Sequence, residues 1–406
     1  MGRFRKERRG DAIDVVIAGC GVGALEAALA LNELAGDRTR LTIVAPTDDF
    51  VYQPVGTLQP FIRQPPRRLP LAEIAAEVNA TVEQDRLVSV DASANRLVTG
   101  SGRQFAYDAL VVAIGATAHT PLKDAVLLQP AGLNEQLTAV IQEIEDGSIQ
   151  SLAFVAPNPA WPLPIYELAL LARERAERSG NQLELTIVTA EGQPLEVFGQ
   201  AVSNATVDLL VRANIKVITG FIAGSSADQL VVHPGASKLS VDRIVAVPRL
   251  EGPRIDGLPC DSNGFLPITA NCAVMGVDDV YAAGDATNFP VKFGAITAQQ
   301  AVAAAQSIAA VAGASLSPAP FDGTVHGVLL RGVRDQMYFS ARIENGSAQD
   351  SHVSDQPILP NQAKVAAHYL GAYLDDQWAS PARWVAGQLA WEGAMTMLHR
   401  EEDITN

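Results

Sequence analysis

The sequence predicts an α/β chain of two three-layer units, each a parallel sheet covered by helices. The first unit is interrupted by the second, and an α+β element follows at the C-terminus. Three observations carry this. A β-branched run, Ile13–Ala18, ends in a glycine turn and leads through a small-residue helix into a second strand, Leu41–Ala45. The same order returns from Ser151 to Ala190, where Leu185–Val188 repeats the LTIV of Leu41–Val44. Two further buried-type runs, Leu110–Ile114 and Val280–Ala283, each stop at a glycine, the second as Gly284-Asp285.

The length and composition suit such a plan. At 406 residues the chain exceeds the roughly 100–200 of one domain. With 48% of residues in the AVILMFWYC set and 18% charged, it can fill large cores, which excludes disorder. Net charge is −15. The first ten residues hold five basic side chains and one acid, leaving 25 basic against 44 acidic residues beyond them. A body that acidic repels a phosphate backbone, so nucleic acid is not an expected partner. Cys20, Cys260 and Cys272 have neither C-x-x-C nor framework spacing, against disulfide staples and a dithiol centre. The histidines are scattered, and no metal site is expected. No window reaches 18 uninterrupted apolar residues, and Met1–Gly10 lacks the apolar run of a signal peptide. The expected location is cytoplasmic, with the basic tail 1–10 either solubilising or touching anionic lipid.

The first turn carries the chemistry. Gly19-Cys20-Gly21-Val22-Gly23-Ala24 fits G-x-G-x-x-A between a strand and a helix, the context a dinucleotide fingerprint requires. Gly19 permits the tight turn, Gly21 lets the backbone approach a pyrophosphate, and Ala24 lets helix and sheet pack closely. Gly23 belongs to the same cradle, whose helix N-terminus faces the phosphates. One element departs from the pattern. Ala45-Pro46 stands where an acid would bond the adenosine ribose, leaving Asp48 or Asp49 to take that role.

A helix over Leu69–Val78 and an antiparallel meander over Thr81–Val90, Arg96–Thr99 and Phe105–Tyr107 lead to the run ending at Gly115. Together with Gly19–Ala24 and Gly284-Asp285, these motifs resemble the FAD-dependent pyridine nucleotide–disulfide oxidoreductase superfamily, over about residues 13–310. The resemblance implies two Rossmann-like domains with FAD as cofactor, Gly115 backing the FAD and Asp285 holding its ribityl chain. The implied layout is a basic tail at 1–10 and an FAD-binding domain at 11–120 and 265–320. A second Rossmann-like domain at 121–264 and C-terminal strands with an amphipathic helix at 321–406 complete it.

In relatives that use nicotinamide nucleotides, the second unit has its own glycine fingerprint. Here the turn is Pro157-Asn158-Pro159-Ala160-Trp161-Pro162-Leu163-Pro164. Prolines donate no N–H and the indole fills space, so an NAD(P)H site of the usual form is not expected.

Within the superfamily, Phe50-Val51-Tyr52-Gln53-Pro54 and Pro290-Val291-Lys292-Phe293-Gly294 with the alanine-rich helix Ala295–Ala310 resemble the sulfide:quinone oxidoreductases and type II NADH dehydrogenases. The resemblance points the N-terminus of that helix, at Gly294 and Ala295, toward the flavin pyrimidine edge. It also borders a quinone-like acceptor pocket with the first turns, so that Gln299 and Tyr52 are candidate pocket residues. A helix N-terminus plus Lys292 would stabilise the anion that reduction places at that edge. A solvated surface lysine is the competing reading. Glu167 matches the family glutamate that reaches toward the flavin and is a candidate acid–base, with helix-start capping as the alternative. The sulfide enzymes use cysteines in the second domain and near the C-terminal motif, and this sequence has none in either place.

Strands are expected over Val328–Leu330 and Met337–Phe339, and a polar irregular segment over Asn345–Pro360. Trp384, Trp391, Met395 and Leu398 then fall on one helical stripe, which packs on the protein itself, on a second subunit, or on a membrane surface. The expected function is electron transfer from a small-molecule donor through FAD to a quinone-like acceptor. The alternatives are an NAD(P)H-fed flavoprotein reductase and a flavin-binding scaffold for a partner. A homodimer and peripheral contact with the inner membrane face stay open.

Overall fold

The computed structural model describes residues 12–53, 56–63, 66–119, 122–123, 125–128, 135–157, 161–220, 222–226, 229–234, 237–359 and 364–378. The basic tail, Pro54, Asn158–Ala160 and the stripe of Trp384, Trp391, Met395 and Leu398 lie outside the described residues.

The first sheet begins with β1 (Ile13–Ala18), α1 (Val22–Ala35), β2 (Thr39–Ala45), β3 (Thr81–Gln84) and β4 (Ala109–Val112). The second is built from β5 (Val126–Leu127), α2 (Glu135–Glu145), β6 (Ser151–Ala156), α3 (Leu163–Arg178), β7 (Glu184–Thr189), α4 (Gln200–Arg212), β8 (Ile215–Ile218) and β9 (Arg243–Ala246). The chain then returns to the first sheet as β10 (Val280–Ala282) and runs on into α5 (Gly294–Val311). An antiparallel sheet of β11 (Thr324–Leu330), β12 (Gln336–Glu344) and β13 (Ser347–Ser354) precedes α6 (Tyr369–Trp378).

The strand orders are β10-β4-β1-β2-β3 and β5-β9-β6-β7-β8, both parallel throughout. The two five-stranded sheets share one plan, as the repeated LTIV suggests. Their inner strands are buried on both faces and therefore read as continuous apolar runs. In the first sheet Ala18 pairs with Val44 and Val112, and Val112 with Ala282, so the strand ends lie level. The order reverses beside β1, placing a crevice at those carboxyl ends where such sheets bind ligands.

Helix α1 is buried from Gly23 to Leu31, which its alanines allow because they add little girth while it is enclosed by the sheet, α5 and α6. The second core continues into the C-terminal sheet, where Phe339 is fully buried with its ring 5.0 Å from that of Phe198.

Two expectations are corrected. The run Thr81–Val90 is not one meander strand: Thr81–Gln84 joins the parallel sheet as its edge, and Leu87–Asp91 starts the antiparallel sheet with Arg96–Thr99 and Gln104–Ala106. Asp85 makes the break, its carboxylate accepting the Arg86 N–H at 2.7 Å and the Ser101 hydroxyl at 2.5 Å. Asn345–Pro360 is not wholly irregular, since Ser347–Ser354 forms β13. This outer strand is mostly open to solvent, so it carries no apolar alternation to read.

Phe339→Ala should cost about 3–5 kcal/mol, since the cavity lies at the seam between the second unit and the C-terminal sheet. A urea midpoint unchanged from wild type would show that this seam does not hold the two parts together.

Candidate functional site

The phosphate-type turn is set by steric necessity. Gly19 has φ +125°, and a Cβ there would lie 2.2 Å from the Ala113 carbonyl oxygen. Its N–H donates to Val44 at 2.8 Å, and Ala113 donates to Ala18 at 2.8 Å, which ties the turn to both neighbouring strands. Gly21 differs. It is extended, it sits at the N-cap of α1 without a side-chain cap, and a Cβ there would meet nothing within 4 Å. The first amides of α1 thus face open space across a residue with no side chain. Gly23 faces the other way, its Cβ position 2.9 Å from the Thr297 methyl of α5. Ala24 is fully buried. Past β2, Asp49 is 3.6 Å from Arg68, while Asp48 is exposed.

The other two strand ends complete the crevice. Gly115, at φ +75°, has nothing within 4 Å of its Cβ position. Gly284, at φ +79°, would bring a Cβ to 2.9 Å from the Thr297 methyl. Its N–H donates to Gln300 Oε1 at 2.7 Å, and the Thr287 hydroxyl returns to its carbonyl at 2.8 Å. This turn presents Asp285, half-buried, with its carboxyl pushed up by burial and drawn back by the charge of Lys292. Gln300 is fully buried and its Nε2 has no partner among the described residues.

Lys292 is not a surface lysine. It is 5% exposed, donates to the Thr287 carbonyl and lies 3.9 Å from the centroid of the Phe265 ring. Burial pushes its ammonium down to about 8, with Asp285 and Asp261 opposing. Helix α5 follows with Gly294 and the buried Ala295, its N-cap Phe293 giving no side-chain cap.

Glu167 is held by three parts of the chain. Its Oε2 accepts from the Thr57 hydroxyl at 2.8 Å, and its Oε1 accepts the Leu330 N–H at 3.0 Å and the ammonium of Lys364. Lys364 also donates to Val328 at 3.3 Å, and burial pushes its pKa down against the pull of Glu167. The adjacent Val365 packs on Gly294, where a Cβ would come within 2.7 Å. The buried pair therefore borders the N-terminus of α5. Glu167 sits one turn inside α3 and does not cap its start.

The two acceptor-pocket candidates are not brought together. Gln299 Nε2 donates to Thr324 at 2.6 Å and borders a groove of about 330 Å³ with Ala303, Phe321, His326, His368 and Glu26. Tyr52 is absent from that wall and is buried among the α1 core residues with Leu370 and Leu374. Its ring packs against apolar neighbours in that core. Lys364 has no motif around it and could not be read from the sequence. Glu26 is marked in the sequence as the lone charge in the apolar VGALEAALAL of α1.

Cys272 is buried, which pushes its thiol well up, Cys260 is exposed, and Cys20 contacts the Thr47 hydroxyl at 3.3 Å. None is bonded to another. No group of three or more His, Cys, Asp or Glu among the described residues could hold a metal ion, and no described helix is long and apolar enough to cross a membrane.

The crevice suits a dinucleotide: open space at Gly21 and Gly115, an uncapped helix start, and an aspartate at the third strand end. The pattern of the family described as pyridine nucleotide-disulphide oxidoreductase matches residues 13–153 and 166–307. That is more than half of the chain, and the protein belongs to this family of oxidoreductases. The unmatched interval includes the proline-rich turn. Among solved structures, the chain is similar to the sulfide:quinone oxidoreductase of the hyperthermophilic bacterium Aquifex aeolicus. That match has 18% identity and a TM-score of 0.76, covering 93% of this chain and 92% of that one. It is also similar to a ferredoxin reductase from Rhodopseudomonas palustris, at 17% identity and TM-score 0.63, covering 81% and 82%. A third is the NAD-dependent persulfide reductase of A. fulgidus, at 15% identity and TM-score 0.61, covering 82% of this chain and 64% of that one.

Gly19 and Gly21 should separate folding from binding. Gly19→Ala, forced against a carbonyl at positive φ, should lower the thermal midpoint of the apoprotein. Gly21→Val should leave that midpoint near wild type and abolish dinucleotide binding, because the side chain would fill the open space before the α1 amides. Stoichiometric dinucleotide on folded Gly21→Val would overturn the assignment of the crevice.

Proposed function

We propose that the protein is an FAD-dependent oxidoreductase passing electrons from a small-molecule donor other than a nicotinamide nucleotide to a quinone-like acceptor. The observation that carries this reading is the buried Glu167–Lys364 pair beside the N-terminus of α5, two residues beyond the buried Lys292. Water-excluded charges at a helix start are suited to stabilising negative charge and moving a proton.

In this reading Gly19, Gly21, Gly23 and Ala24 would hold the pyrophosphate on the amides of α1, and Gly115, Gly284, Asp285, Gly294 and Ala295 would flank the rest of FAD. The bound cofactor supplies a two-electron store between donor and acceptor. Lys292 and the uncapped α5 amides would stabilise negative charge placed at the start of α5. Glu167, held by Thr57 and Leu330, keeps a carboxylate ready to exchange a proton with Lys364 or with the acceptor. The quinone-like acceptor draws support from the near end-to-end likeness to the sulfide:quinone enzyme. Sulfide as donor draws none, because the cysteines form no pair. No membrane-crossing helix is described, so an acceptor dissolved in a bilayer would be met peripherally.

The second unit argues against a nicotinamide donor. Pro162 and Pro164 sit at the N-cap and second position of α3, removing donors a phosphate would use. Strand β7 ends at the buried Thr189, and the next acid, Glu191, is itself buried. Glu191 accepts from the Tyr166 hydroxyl at 2.6 Å and from Thr189 at 3.0 Å, and burial pushes it up to about 7. Both contacts are to Oε2, and Oε1 is buried without a partner among the described residues, so this carboxylate is shut away from solvent at the strand end.

Anaerobic mixing tests this. Millimolar NADH should bleach the flavin slowly or not at all, whereas a short-chain quinone should reoxidise photoreduced enzyme rapidly. Fast stoichiometric bleaching by NADH would replace this reading with the NAD(P)H-fed reductase. Lys292 adds a pH signature. Its ammonium favours reduced flavin only while protonated, so Lys292→Met should lower the midpoint potential below about pH 8, and the difference should vanish above it. Equal potentials at every pH would remove Lys292 from the site.

A further inference from the structure

We propose that Glu26 is a positioning residue that latches a strap, residues 364–370, and so delivers Lys364 to Glu167. The proposal rests on the reading of Lys364 and Glu167 as the acid–base pair. Glu26 lies in α1, fully buried, and no cationic side chain pairs with it among the described residues. Its carboxylate is instead satisfied by three consecutive backbone N–H groups at the start of α6. Oε1 accepts from His368 at 2.8 Å and from Tyr369 at 3.1 Å, and Oε2 accepts from Leu370 at 2.6 Å. The positive end of the helix and the buried negative charge satisfy each other.

The strap is short and is fixed along its length. Lys364 pairs with Glu167 and reaches Val328, and Val365 packs on Gly294. The Ala367 N–H turns back to Val365 at 3.0 Å. Ala366 and His368 then join Glu26 in the wall of the groove beside α5, and Leu370 and Leu374 anchor α6 in the α1 core. Only three residues separate Lys364 from His368, which leaves about 10–14 Å of reach and little slack. Release at Glu26 therefore removes the backbone support from which Lys364 points. His368, Asp322 and His326 are the titratable groups sharing the groove with Glu26.

The chemistry of substitution is specific. Glu26→Gln keeps the shape but sets an amide donor against one of the three N–H groups. Glu26→Asp keeps the charge on a shorter stem. The test is trace acetylation of the full-length, FAD-loaded protein, with modification of each lysine read by mass spectrometry. Lys364, buried and paired, should react slowly in wild type, at least tenfold faster in Glu26→Gln, and at an intermediate rate in Glu26→Asp. Lys292, buried elsewhere, should be unchanged in all three. Unchanged reactivity of Lys364 in Glu26→Gln would overturn the latch, and so would an equal rise at Lys292, which marks general loosening. Lys364→Met separates the two readings. Wild-type quinone reoxidation in that variant would refute the acid–base role of Lys364, while the acetylation result would still decide whether Glu26 positions it.

Discussion

At Gly23 and Gly284 two backbones crowd the same methyl group, that of Thr297, to distances no added side chain could share. The starts of α1 and α5 are thereby pressed together over the end of β10, with the Ala113 methyl, just past β4, 3.5 Å from where a Gly23 side chain would begin. This close approach sets the level of both helix N-termini, and both of them lack side-chain caps. A larger residue at any of these points would lift a helix away from the sheet ends and part the partial charges that the crevice concentrates. The alanines along both helices extend the same close packing over several turns.

Around this dry helix pair the protein buries an unusual set of charges. Lys292 rests on Phe265 and a carbonyl, Glu26 on three amides, and Glu167 on Lys364, Thr57 and an amide. Buried ions are poor investments in stability, since apolar residues of similar volume often serve as well. Each here is satisfied by fixed dipoles with few mobile partners, an arrangement that keeps reorganisation small when charge changes nearby.

Legibility followed the range of the forces involved. Gly19, Gly21 and Gly23 and the duplicated strand–helix–strand order were readable because the constraint is local: a turn, a cap, a period. Gly284-Asp285 was readable because it repeats a local pattern far along the chain. Lys364 was not, since nothing within several residues of it announces that a glutamate from another element will meet it. Glu26, though marked as the one charge in an apolar stretch of α1, gives no local sign of the three α6 amides that satisfy it. Tyr52 shows the converse: its aromatic run matches a motif, while tertiary packing with α1 and α6 decides its surroundings. The edge strand Ser347–Ser354 escaped because a ribbon mostly open to water lacks the alternation that burial imposes.

The first sheet takes four strands from the N-terminal part of the chain and its fifth, β10, only after the whole second unit has been traversed. On a ribosome that order has a temporal meaning. β4 leaves the exit tunnel with one edge unpaired, and at about 5–20 residues per second its partner arrives only roughly ten to thirty seconds later. Throughout that interval the second unit, whose sheet strands are contiguous in sequence, is free to fold first, while the nascent first sheet shows an apolar edge to its surroundings. The crevice cannot close on a ligand until α5 has emerged. A polypeptide arrested before that helix would be a client for chaperones and for edge-to-edge aggregation, however sound its glycine turn.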